Sequence, residues 1–346
     1  MKAKDWVKYG LSFGVAAFLL WYSFRHVEWS QFWAGLVSCN WGFVLLSMVI
    51  GVASFFFRSL RWQMLLEPLD PSLRIGPVFN AINISYLVNL VIPRGGDVIR
   101  NAYIAKHSET GPDGQKKASF EKALGTAVLD RLWDGVVMIL LFVLVLGLMW
   151  SRYGGFVTET ILGSVAAKRN TALILAGLAL VGLAALWALY HFRNSSRLAG
   201  KIWGFVKGLG EGLMTCLRMK SAWKFMLYTL LVWGCYWMMS ATIIWAVQGI
   251  DPAVLGDQAA GVSTLQQLGL VDAIFLCLVG AVSTLVPVPG GFGAFHYVVS
   301  LALSVIYGIP MEAGILFATL SHESQAITQA LCGGISYFVE MKHITQ

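Results

Sequence analysis

The sequence predicts an all-α, polytopic helical membrane protein. Three observations predict it. Of 346 residues, 57 % are hydrophobic and only 12 % charged, whereas an ordinary soluble domain is about 25 % charged. Mean hydropathy is +0.69, so a soluble chain of this composition lacks the polar groups to cover its own surface. The apolar residues fall in runs, several of them near the roughly 20 residues a helix needs to cross a bilayer. Together these features exclude a cytosolic globular enzyme, a disordered chain and a conventional nucleic-acid binder. The 14 Trp, 11 Tyr and 20 Phe fit the same class, because aromatic rings favour the headgroup level.

The first run, Trp6–Phe24, follows Lys2 and Lys4 and ends in Trp21-Tyr22-Ser23-Phe24-Arg25. A cleavable signal peptide has a shorter apolar region and a small-residue cleavage site, so this run reads as a retained helix. Its Gly10 and Gly14 make a small-xxx-small pair suited to helix packing. Further spans are Trp41–Phe57, Val136–Trp150, Thr171–Tyr190, Phe225–Val247 and Ala313–Phe338. Two stretches differ. Ile75–Ile92 carries Asn80, Asn83 and Asn89 and runs into Pro93-Arg94-Gly95-Gly96-Asp97. Leu270–Val286 runs into Pro287-Val288-Pro289-Gly290-Gly291-Phe292-Gly293, after which the short run Ala294–Ile309 is apolar again.

Loop charge sets the threading. Nine Lys or Arg lie from Arg58 to Lys122. A full crossing by Ile75–Ile92 would put six of them outside, against the positive-inside rule. A re-entrant element that enters from the cytoplasm, breaks at Pro93–Gly96 and returns through Asp97–Lys106 avoids this. Arg193–Lys224, with seven basic residues and Glu211, is expected inside. Gln248–Gln267, with Asp251 and Asp257 and no Lys or Arg, is expected outside. The expected architecture is one integral membrane domain over 1–346 with about six full spans and two re-entrant broken helices. The second of these enters from the outside, and both termini lie in the cytoplasm of a cell membrane. The net charge of +7 reflects these basic loops, which face anionic lipid.

The two breaks resemble each other. Leu90 to Gly96 aligns with Leu285 to Gly291 at four of seven positions. Gly/Pro-broken apolar segments in corresponding positions of two halves mark an inverted repeat with its site near the bilayer midplane; here the halves are about 41–150 and 225–338. A break frees backbone groups that lipid cannot satisfy, so it must be buried or line a wet cavity. The helix that restarts after it offers N–H groups and a positive dipole end, which suit phosphate.

Charges cluster at the same places. Arg94, Asp97 and Arg100 sit on the first break, with Asp97 and Arg100 on one helical face. Asp130, Arg131 and Asp134 stand at the entrance to the Val136 span. Charges at membrane depth are costly unless paired or hydrated, and they mark pathways. His296 follows the second break. On the last helix His322, Gln325 and Gln329 form one polar stripe, with Glu323 beside it. There is no His-Glu-x-x-His, paired-Cys, Walker or Gly-x-Ser-x-Gly pattern, so neither a metal nor a cofactor is expected. The five cysteines are read as small hydrophobes.

These motifs resemble the lysylphosphatidylglycerol synthase transmembrane family, the flippase-like membrane half of the multiple-peptide-resistance factor. The resemblance rests on Arg61-Trp62 with Leu65-Leu66, then Asn89, Pro93, Arg94, Gly96, Asp97 and Arg100, then Asp130-Arg131 and Asp134, then Pro289-Gly290-Gly291-Phe292-Gly293. The family usually has Glu where Asp97, Asp130 and His296 stand here. The last change replaces an acid by a group that titrates near neutral pH, and His296 is therefore expected to take up a proton when an anionic lipid binds. The resemblance implies lipid translocation or lipid handling.

Three functions are open to a chain of this kind. It is read first as a lipid flippase or transporter that moves an anionic phospholipid or lipid-linked headgroup between leaflets. Arg94, Arg100 and Arg131 would hold phosphate, and Asn89, Pro93, Gly96, Asp97, Asp130, Asp134, Pro289, Gly290, Gly291, Gly293, His296, His322 and Gln325 would complete the site. The alternatives are a non-catalytic membrane partner of a lipid-synthesis enzyme and a membrane enzyme acting on lipid headgroups. Membrane lipids are the expected partners and nucleic acid is not; a second copy or a lipid-synthesis enzyme remain open. The threading makes a direct prediction. Single cysteines placed at Gln115 and Gly208 of a Cys-less variant should react only from the cytoplasm, and one at Gly261 only from outside. Labelling of Gln115 from outside would overturn the re-entrant threading.

Overall fold

A computed structural model of the chain describes residues 3–148, 222–253 and 259–345, with scattered positions from 150 to 221. Among the described residues the elements are α1 (Ala3–Phe24), α2 (Trp29–Ser38), α3 (Trp41–Leu66), α4 (Ile75–Val91), α5 (Gly95–His107) and α6 (Phe120–Leu148). They continue with α7 (Ala222–Gln248), α8 (Ala259–Gln266), α9 (Leu270–Ser283), a 3-10 turn at Pro289–Gly291, α10 (Ala294–Tyr307) and α11 (Met311–Thr345). No strand occurs among them, and the all-α membrane class holds. The chain forms two compact units, one of residues 1–130 and 223–346 and one of residues 131–222. The expected span Thr171–Tyr190 lies largely outside the described residues.

Among the described residues four helices are long and apolar enough to cross a membrane: Trp41–Leu66, Phe120–Leu148, Ala222–Gln248, and Pro289–Tyr307 with its 3-10 turn included. Two of them contain the expected spans Trp41–Phe57 and Phe225–Val247, and Phe120–Leu148 covers most of Val136–Trp150. The fourth was read from sequence as half of a broken element. Conversely α11, read as a span, falls short on hydropathy because it carries His322, Glu323, Gln325 and Gln329. It packs against α1, α2, α3, α4, α8 and α10, and those neighbours screen much of its length. Large apolar side chains cover the outer faces instead, among them Val49, Leu140, Val143, Leu230 and Ile335, as expected where lipid is the solvent.

Helix ends depart from the hydropathy runs for a physical reason. The apolar run of α3 stops at Arg58, yet the helix continues to Leu66. Likewise α6 starts at Phe120, well before Val136. In both cases the added turns carry charges that are buried against each other, as described below. The α3 N-terminus is capped by the Asn40 side chain, which accepts from Gly42 N–H at 3.0 Å. Helices α2 and α8 were not expected: at 10 and 8 residues they are too short to give a spanning signal. Gly10 and Gly14 have no heavy atom of another described segment within 4 Å of where a Cβ would be. The close approach of α1 occurs further along, where Ala16 packs with Val288 and Ala294.

Several buried hydroxyls are satisfied within their own helices. Ser54, Ser59, Thr229 and Thr242 donate to carbonyls three or four residues earlier, at 2.7–2.9 Å. Only small groups let the helices approach here, and in lipid such approach replaces the hydrophobic effect as the source of packing energy. Ser47 adds an inter-helix bond to the Met239 carbonyl at 3.3 Å.

The turn from α3 to α4 is pinned by Asp70, which is fully buried. Its carboxylate accepts from the Ser72 and Ser108 hydroxyls, both at 2.6 Å, and from the Ser72 and Glu109 amides at 3.0 and 2.8 Å. Burial alone would raise the Asp70 pKa, but these four donors outweigh it and hold it down to about 2. An unfolded Asp titrates near ~3.9. The stabilisation from Asp70 is therefore complete above that value and is lost as pH falls through about 2. Asp70→Asn should lower the stability of the purified protein at neutral pH by about 2–4 kcal/mol, read by thermal unfolding. The gap to the parent should close in strong acid, and a gap that persisted there would assign the loss to something other than the carboxylate charge.

Candidate functional site: two broken-helix hairpins

Each Gly/Pro break turns the chain back on itself. In the first, a Cβ on Gly96 would lie 2.0 Å from the Ser85 carbonyl oxygen, and Tyr103 reaches Asn80, so α4 and α5 run antiparallel. In the second, a Cβ on Gly280 would lie 2.6 Å from the Phe295 ring, and Tyr307 Oη donates to Asp272 Oδ1 at 2.9 Å, so α9 and α10 do the same. Arms of 17 and 13 residues and of 14 and 14 residues are about 20–25 Å long, less than the ~30 Å hydrocarbon thickness. The two breaks touch: the Leu90 side chain comes to 3.3 Å from where a Gly290 Cβ would be.

At the first break Arg94 adopts a left-handed backbone, φ 59°. A non-glycine residue is strained there. The Asn89 side chain accepts from the Gly96 amide at 2.9 Å, so one N–H of the restarting helix is already satisfied by the protein. Arg94 is exposed, Pro93 and Asp97 are half-buried, and Arg100 is buried. Arg100 Nε lies 3.4 Å from Asp97 Oδ1, the i,i+3 pair the spacing suggests. The Arg100 guanidinium also stacks 4.7 Å above the Trp62 ring.

Asp130 is completely buried. Two guanidinium groups of α3 meet it: Arg61, with Nε 2.9 Å and Nη2 2.7 Å from Oδ1, and Arg58, with Nη2 3.2 Å from Oδ2. Arg58 also donates to Tyr236 Oη at 3.0 Å. Sequence reasoning read Arg58 and Arg61 as basic loop residues, with Arg61 also part of the family resemblance, and not as partners of Asp130. The available signal was their i,i+3 spacing at the edge of an apolar run, but nothing local links them to an acid some 70 positions on. Arg131 is exposed and Asp134 half-buried. Both belong to the second unit.

At the second break Gly290, Gly291 and Gly293 have φ of 56°, 81° and 78°. A Cβ on Gly293 would lie 2.7 Å from the Ala16 carbonyl oxygen and 2.8 Å from the Leu20 amide nitrogen of α1, so only glycine allows that contact. Pro289 is buried as the first residue of the 3-10 turn. His322 of α11 donates from Nε2 to the Gly290 carbonyl at 2.9 Å and thereby satisfies a group the break set free. His296 lies in the first turn of α10, fully buried, with its ring 5.1 Å from that of His322. Glu323 Oε1 is 3.1 Å from His322 Nδ1 and 3.5 Å from His296 Nε2. Gln325 stands one turn further along α11 and is half-buried. No short metal pattern contains this trio, because its members come from two helices.

These elements define a polytopic helical membrane protein organised around two broken-helix hairpins whose tips meet. The chain belongs to the Lysylphosphatidylglycerol synthase TM region family, which it matches over residues 9–333. That match includes both hairpins and every candidate site residue. No curated protein and no solved structure matches the chain.

Burial separates structural from accessible charges. Asp130→Ala would remove the carboxylate that both α3 guanidinium groups meet, and breaking such a buried pair costs about 3–5 kcal/mol. Arg94→Ala, at an exposed position, should shift stability by less than about 0.5 kcal/mol. Thermal unfolding of the two detergent-purified variants checks this; equal losses would mean that Arg94 is a packing residue.

Proposed function

We propose that the protein moves an anionic phospholipid or lipid-linked headgroup between the leaflets of the cell membrane. Its two hairpins act as re-entrant elements, and both termini face the cytoplasm. The observation that carries this reading is the contact between the two breaks. Paired broken helices from two halves are where inverted-repeat transporters hold substrate. Membership of a family named for the membrane region of a lipid synthase supports lipid as the substrate class.

In this reading the exposed Arg94 reaches the headgroup phosphate with charge-assisted hydrogen bonds. The buried cluster of Arg58, Arg61 and Arg100 against Asp130 and Asp97 holds three cationic and two anionic groups, and it keeps the surroundings of the first break positive. Gly290 and Gly291, half-buried at the second break, offer backbone to a headgroup, while Gly293 serves the close contact with α1. The arrangement requires no covalent chemistry, so the lipid leaves as it entered.

Leaflet exchange in liposomes tests the proposal. Purified protein reconstituted with fluorescent anionic and zwitterionic lipids should accelerate exchange of the anionic ones and leave lipid mass unchanged. Arg94→Ala should insert normally and lose at least about tenfold in exchange rate, the worth of one charge-assisted contact. Normal exchange by this variant would reduce Arg94 to an interface anchor. A change in lipid mass would identify an enzyme instead.

A further inference from the structure

We propose that His296, His322 and Glu323 form a three-ligand site for a divalent transition-metal ion of the zinc class. The site is independent of the transport reading, because it concerns binding alone.

The geometry comes first. His296 Nε2, His322 Nδ1 and Glu323 Oε1 offer one ligand atom each, and such atoms of the three residues all lie within 4.8 Å of one another. Two of the separations are 3.1 Å and 3.5 Å. A tetrahedral ion with bonds of about 2.0–2.1 Å holds its ligand atoms about 3.3–3.4 Å apart. The three side chains thus already stand near the edges of such a tetrahedron, with the fourth corner left for water or an anionic oxygen. Two imidazoles and one carboxylate suit zinc and its first-row neighbours; calcium and magnesium require an oxygen cage.

Hydrogen bonding gives the second argument. The Gly290 carbonyl can only accept, so the proton of a neutral His322 is on Nε2. Nδ1 is then a bare lone pair, and it faces the Glu323 oxygen at 3.1 Å. Two acceptors at that distance repel unless a positive centre lies between them. A metal ion supplies that centre, and the Gly290 carbonyl becomes the outer partner that fixes the tautomer of a ligating histidine. The competing arrangement is an imidazolium–carboxylate pair with a second proton on His322. His296 Nδ1 has no hydrogen-bond partner and its Nε2 faces the Glu323 oxygen at 3.5 Å, so in the empty site the proton of a neutral His296 is on Nε2 and an ion bound there displaces it to Nδ1.

The surroundings fit a metal site as well. The imidazoles are enclosed by aromatic rings: Phe292 and Phe295 lie 4.9 and 5.2 Å from His322, and Phe24 lies 5.5 Å from His296. Such walls lock the ring orientations. Glu323 is 37 % exposed at its side chain, which leaves an entry path on one side. The site depends on His296, where the family resemblance leads one to expect Glu.

The test is metal binding by the full-length protein, purified in detergent with a tag that contains no histidine and stripped with a chelator. Zn2+ titration by calorimetry should show one equivalent bound, and Co2+ should give the intense visible bands of a tetrahedral complex. Glu323→Gln and His296→Ala should each weaken Zn2+ binding by at least about 100-fold, the most that loss of a mere supporting partner costs. His107→Ala, remote from the site, should bind as the parent does. Glu323 is the variant least able to disturb folding, because it is half-exposed and does not hold the break. Failure of the parent to bind Zn2+ would overturn the proposal and leave an imidazolium–carboxylate pair. Undiminished binding by Glu323→Gln and His296→Ala would overturn it too.

Discussion

A helix interrupted at membrane depth leaves N–H and C=O groups that hydrocarbon cannot solvate. Among the described residues, both breaks have side chains that meet the backbone groups set free. At the first break Asn89 takes the Gly96 amide. At the second, His322 takes the Gly290 carbonyl, and three glycines of positive φ let the chain turn within a space bounded by α1. Each solution demands a polar side chain inside an apolar bundle. That demand is why α11 carries a polar stripe and why it packs against other helices rather than facing lipid along its whole length.

The same logic governs the charges. Asp130 without Arg58 and Arg61 would be an isolated carboxylate in a low-dielectric interior, a state that proteins avoid by protonation or pairing. With them it forms a cluster in which each member holds the others in place, extended by the stacking of Arg100 on Trp62. A buried ion pair adds little net stability over an apolar replacement. Its presence here therefore fits a need for positive potential beside the break better than a need for tighter packing.

Much of this was legible in the sequence because it is written locally. Apolar run length gives the helices, Pro and Gly give the breaks, and the three-residue spacing of Asp97 and Arg100 gives their pairing. What stayed hidden depends on contacts between distant segments. Arg58 and Arg61 look like the start of a basic loop until Asp130 is seen between their guanidinium groups. Glu323 sits next to His322 in sequence, where adjacent helix positions do not share a face, yet its side chain bends back to both histidines. Helices α2 and α8 were missed because an apolar segment of only two or three turns has too little periodicity to distinguish it from a loop.

Helix α11 also has a mechanical meaning. It grips the second hairpin through His322 and, further along, the first. There Gly333 lies against Leu87 and Asn83, and Glu340 accepts from Tyr103 Oη at 2.6 Å and from Lys106 Nζ at 3.2 Å. Those two anchorage points, His322 and Glu340, are about 27 Å apart along an uninterrupted helix. A continuous α-helix is stiff over that length. Moving either hairpin alone would strain one grip or the other, so the helix acts as a tie rod that makes the two hairpins shift as one linkage.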